Sequence, residues 1–127
     1  MFSSKILVAC IGIVLPYLSR LPMGLDWFMS YVDTSIGGYL FIGIANAISW
    51  GLIIALSQNY KKSTTIIYPA LLGFSFVAWG HLTLDLSADA QAAIGILFIP
   101  IYSIPFILTG WVIGLIIEKY NYKKTTT

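Results

Sequence analysis

The chain has 127 residues, of which 58% are hydrophobic and only 9% charged, and its mean hydropathy is +0.87. A soluble domain is about 25% charged, so this chain has too little polar surface to cover itself in water, and a soluble enzyme or a nucleic-acid binder is excluded. The lone cysteine, Cys10, cannot form an intramolecular disulfide or a multi-thiolate metal site and reads as a small apolar residue.

The expected architecture is an all-α membrane protein: one integral membrane domain over residues 1-127, a four-transmembrane-helix bundle with spans at about 2-19, 36-57, 65-84 and 91-117. The first span starts behind Lys5. Leu7-Val8-Ala9-Cys10 imitates a lipoprotein cleavage site, but only Ile6 to Ala9 separate Lys5 from the cysteine and the apolar run continues past it, so a transmembrane helix is expected, bent or ending near Pro16. Arg20 and Pro22 close that span. Between spans 1 and 2, Leu21, Leu25, Phe28, Met29 and Val32 fall at helical spacing, which predicts a short interfacial helix with Trp27 and Tyr31 in the headgroup zone.

The second span carries Gly43, Ala47, Gly51 and Ala55 at every fourth position. Lipid gives helices no hydrophobic reason to associate, so small residues that let backbones approach form a packing face. Asn46 lies beside that face and is expected to hydrogen-bond across a helix contact. Gln58 to Ser63 make a polar turn, after which Thr64 and Thr65 are candidate caps and Pro69 sits in or near the first turn of the third span. Gly73, Ser75, Ala78 and Gly80 offer that span smaller packing surfaces. The longest uncharged run, Ala92 to Ile117, makes the fourth span, with Gly110 and Gly114 as a G-x-x-x-G packing pair beside Ser103. Pro100 and Pro105 free the carbonyls of Ile96 and Ile101 and predict a kink that Ser103, Thr109 or a neighbouring helix satisfies. Glu118 to Thr127 reads as a polar tail.

Four spans gather Lys5, Lys61, Lys62, Lys119, Lys123 and Lys124 with Glu118 at one end, net +5, and Arg20 with Asp26, Asp33, Asp85 and Asp89 at the other, net −3. The positive-inside rule then predicts a bacterial inner-membrane protein with both termini cytoplasmic.

His81, Asp85 and Asp89 are spaced at i, i+4 and i+8, and on a continuous helix they would form an external cation or proton site. Against this, Asp89 and Ser87 stand where a cap for the fourth helix is expected. Arg20 is expected to pair with one of the outer carboxylates. No catalytic motif is assembled, no metal ligand set or cofactor is indicated, and no Asp, Glu, Lys or Arg lies at mid-membrane, which argues against a coupled antiporter. The leading functional expectation is therefore not an enzyme but a protein acting by helix association, whose partners are the lipid bilayer and either further copies of itself or another membrane protein, as a complex subunit or an immunity-type protein. The alternatives are an oligomeric channel lined by the intramembrane polar residues Asn46, Ser103 and Thr109, and a small membrane enzyme using His81 and Asp85.

Overall fold

A computed structural model describes residues 3-87 and 91-126, with the side chains of 125-126 left undescribed. The described residues form helices and turns only, four of the helices being long and apolar enough to cross a membrane.

Helix α1 runs over Ser4–Leu18, its first turn capped by the Ser3 hydroxyl accepting from the Ile6 amide at 3.2 Å. Pro16 lies inside α1, and the helix continues for two residues beyond it. A 3-10 turn at Leu21–Met23 begins with Pro22 in its first positions, and Gly24, with φ 111°, swings the chain into α2, Leu25–Val32. That φ belongs to the region only glycine adopts without strain. Helix α3 is Ile36–Ser57, capped by the Ser35 hydroxyl on the Gly38 amide. A 3-10 turn at Ser63–Ile66 leads into α4, Ile67–Thr83, with Pro69 in the first turn, where its missing N–H costs nothing. Thr64 and Thr65 do not cap this helix: neither hydroxyl bonds its first turn, and Thr65 donates to Glu118 instead. A last 3-10 turn, Ala92–Ile94, opens α5, Gly95–Thr126.

The four long helices form a ring in the order α1, α3, α5, α4, each packed on its two neighbours, with a lesser α3–α4 contact across the diagonal. Antiparallel threading makes α1 and α4 parallel neighbours, and likewise α3 and α5. One apolar core joins Val8, Ile53, Ile66, Ala70 and Ile107, and another, towards the end where α2 lies, joins Tyr31, Ile42, Ala45 and Ile96.

Two expectations are corrected. Helix α5, which holds Pro100 and Pro105 within it, runs on through Glu118 to Thr126, because nothing after Ile117 breaks a helix and Glu118 is tied to the α3–α4 connection. The face of α2 that points inward is the other one. Tyr31 is fully buried and Trp27 half-buried, whereas Leu25 is 68% exposed and Met29 is exposed too. A helix lying on a membrane bundle can turn its aliphatic side to lipid and its polar aromatics to the protein, the inverse of a water-soluble helix.

Candidate functional site

The buried side chains of Arg20, Tyr31 and His81 lie together at the end of the bundle where α2 packs. Helix α4 stops at Thr83 and leaves its last carbonyls without helical donors, and a buried helix end must find partners for them. Arg20 supplies two: its Nη1 donates to the carbonyls of His81 at 2.6 Å and Leu84 at 2.8 Å. Trp27 supplies a third, its indole N–H reaching the Leu82 carbonyl at 2.6 Å. Its Nε donates to the Trp27 carbonyl and its Nη2 to the Ser30 hydroxyl, both at 2.8 Å, so the fork holds α2 against the end of α4. A cation at a helix C-terminus also faces the negative end of the helix dipole. The guanidinium lies 4.0 Å from the centroid of the Tyr31 ring and 4.6 Å from that of Trp27. Arg20 is fully buried, and its hydrogen bonds go to three carbonyls and a hydroxyl rather than to the carboxylate expected for it.

Tyr31 joins this clamp to His81. Its hydroxyl and the His81 Nδ1 are 2.8 Å apart, both side chains are fully buried, and Tyr17 packs edge-on against the Tyr31 ring. Burial pushes the Tyr31 phenol up, against the opposing pull of the Arg20 cation. The second imidazole nitrogen, His81 Nε2, is buried with no hydrogen-bond partner among the described residues.

The structure does not bring His81 and Asp85 together. Leu84 is extended, so the shared helical face ends between them; His81 turns inward and Asp85 is exposed. The Ser87 hydroxyl and amide hold the Asp85 carboxylate below the usual carboxylate range, through bonds of 2.6 and 3.0 Å. Asp89 lies outside the described residues. Among those residues no group of three His, Cys, Asp or Glu side chains is placed to hold a metal.

Asn46, Ser103 and Thr109 are also separated. Asn46 is buried at the α1–α3 contact, where its Nδ2 donates to the Gly12 carbonyl. Gly12 is four residues before Pro16, so this is the carbonyl that the proline leaves without a helical donor. Ser103 is buried between α5 and α3, 2.9 Å from the Ser49 hydroxyl and 2.6 Å from the Pro100 carbonyl. Thr109 is exposed and bonds the Pro105 carbonyl one turn back in its own helix.

The small residues divide in two. A Cβ at Gly110 would stand 2.5 Å from the Tyr68 carbonyl oxygen, and one at Gly114 would stand within 3 Å of the Tyr60 hydroxyl, so this pair packs α5 against the start of α4 and the turn before it. Gly12 is filled by Trp50, Gly73 by Ile107 and Gly80 by Ile99 in the same way, and Gly12 is a packing position that its surroundings in the sequence do not announce. At Gly43 and Gly51 a Cβ would meet nothing within 4 Å, and Ala55 is exposed.

At the opposite end of the bundle, Glu118 accepts from the backbone amides of Lys61 at 3.0 Å and Lys62 at 2.8 Å and from the Thr65 hydroxyl at 2.7 Å. Tyr60 donates to the Trp111 carbonyl at 2.9 Å, and burial, reinforced by the Glu118 charge, pushes its phenol up to about 12. Compared with family models, curated proteins and solved structures, the chain matches none.

Proposed function

We propose that this is a multi-pass protein of the bacterial inner membrane, with both termini cytoplasmic, that works by lateral association, as a small subunit docking the Gly43/Ala47/Gly51/Ala55 face of α3 against a transmembrane helix of a partner protein. The observation that carries this reading is the contrast among the glycines. Glycine in a helix costs about 1 kcal/mol relative to alanine. At Gly12, Gly73, Gly80, Gly110 and Gly114 close internal approach accounts for that cost, and at Gly43 and Gly51 nothing among the described residues does. Two glycines eight residues apart on an outward helix face make the kind of surface over which membrane helices approach closely. The asymmetric placement of lysines supports the orientation.

The test is to extract the protein from its own membrane in mild detergent, identify every co-purifying chain and measure the native mass, for the wild type and for Gly43→Leu and Gly51→Leu. A Cβ at either position meets no described atom within 4 Å, so the isolated chain is expected to keep its melting temperature while association falls at least tenfold. A wild-type protein that purifies as a lone monomer, or variants that associate as tightly as the wild type, would overturn the reading.

A further inference from the structure

At the lysine-rich end, the Lys61–Lys62 turn, the start of α4 and the last turns of α5 enclose a cavity of about 430 Å³ with Lys61, Lys62, Asn121 and Tyr122 in its lining. A second cavity of about 570 Å³ is an apolar groove between the parallel helices α1 and α4, lined by residues such as Leu7, Ile11, Leu71 and Phe74. The two share Thr64 and Ile67 in their linings, so a chamber that carries the lysine turn lies directly beside an apolar groove. On α4 the groove reaches from Ile67 to Ala78. At 1.5 Å per residue that is a rise of about 16 Å, close to the roughly 15 Å that one leaflet contributes to the hydrocarbon core.

The electrostatics of the chamber select the sign of a ligand. Glu118 lines it, but its carboxylate is engaged by two backbone amides and the Thr65 hydroxyl, which pin the turn bearing Lys61 and Lys62 to α5. The Lys61 ammonium lies 4.3 Å from the centroid of the Tyr122 ring, at the chamber wall. Two lysines against one carboxylate leave the chamber at net +1, and Lys5, Lys119, Lys123 and Lys124 belong to the same end of the bundle.

We propose that this composite cavity binds one anionic phospholipid, its phosphate between Lys61 and Lys62 and one acyl chain lying in the α1–α4 groove. The basic chamber beside an apolar groove one leaflet deep matches an amphiphile with a negative head. The proposal rests on membrane insertion but not on the α3 association, from which its site is separate.

The full-length protein in mild detergent is titrated with dioleoylphosphatidylglycerol or dioleoylphosphatidylcholine, and lipids retained per chain are counted by native mass spectrometry. One phosphatidylglycerol is retained per chain in preference to phosphatidylcholine, and millimolar inorganic phosphate does not displace it. Each lysine near an anionic headgroup contributes enough that Lys61→Gln with Lys62→Gln weakens retention roughly thirtyfold. Lys119→Gln does so far less. Ser75→Phe, at an exposed position lining the groove, blocks retention with every charge intact, and it decides the matter if the double lysine variant fails to fold. Equal retention of the two lipids, displacement by phosphate, the same loss in Lys119→Gln as in the double variant, or full retention in Ser75→Phe would each overturn the proposal. Gly43→Leu retains the lipid whether or not it still associates.

Discussion

Asn46 illustrates how a polar side chain buried in the bundle serves the backbone of another helix. Pro16 removes the amide that would have bonded the Gly12 carbonyl, and Asn46 replaces it from α3. Leaving that carbonyl buried without a donor costs about 1–3 kcal/mol, so Asn46→Leu is expected to destabilise the protein by that amount. In a Pro16→Ala background residue 16 regains its N–H, α1 satisfies Gly12 itself, and the same substitution costs less. A double-mutant cycle by thermal unfolding in detergent measures the difference, and strict additivity would show that the two residues are not coupled. Much of this pair is legible in the sequence: a proline at 16 orphans the carbonyl at 12, and Asn46 is the polar residue at similar depth in the antiparallel span that follows. Which neighbour it reaches is settled by the ring order, in which α3 packs on α1 and α5.

At the level of elements, α2 is held by hydrogen bonds more than by an apolar face. It has a single fully buried side chain, Tyr31, and it is fastened to α4 through Arg20 and Trp27. Arg20→Lys keeps the charge and loses the planar fork that serves two carbonyls of α4, the Trp27 carbonyl and Ser30 together. A loss of about 1.5–3 kcal/mol follows, and α2 is released first. Hydrogen exchange should therefore show faster exchange across Leu25–Val32 and at the end of α4, with the core of α3 protected as before; uniform loosening would refute a local clamp. The sequence placed Arg20 among acidic residues, which suggested an ion pair. Carbonyls of a helix terminus leave no trace in residue identity, and only the position where α4 stops shows that Arg20 has them to bind. The triplet His81, Asp85 and Asp89 shows the same dependence, since its spacing means a shared face only if the helix continues, and α4 ends at Thr83.

For the whole molecule, the charge distribution is the basis of the proposed orientation. Cysteines placed one at a time at Ser3, Asn59 and Lys124 in a Cys10→Ser background are expected to react with an impermeant maleimide only after the membrane is opened from the cytoplasmic side, and cysteines at Asp26 and Gln91 in intact spheroplasts. The reverse pattern would refute both termini being cytoplasmic. The number and approximate positions of the apolar helices, and the division of charge between the two ends, were determined by the sequence alone, because insertion depends on the length and composition of each segment taken by itself. The tertiary structure decided how far α5 runs past its apolar stretch, which small residues are packed internally, where Arg20 finds its partners, and that the lysine turn lies beside the α1–α4 groove. Those features depend on which helices become neighbours. Spans that are apolar on every side do not encode that in their pattern, because lipid and a neighbouring helix are equally apolar surroundings.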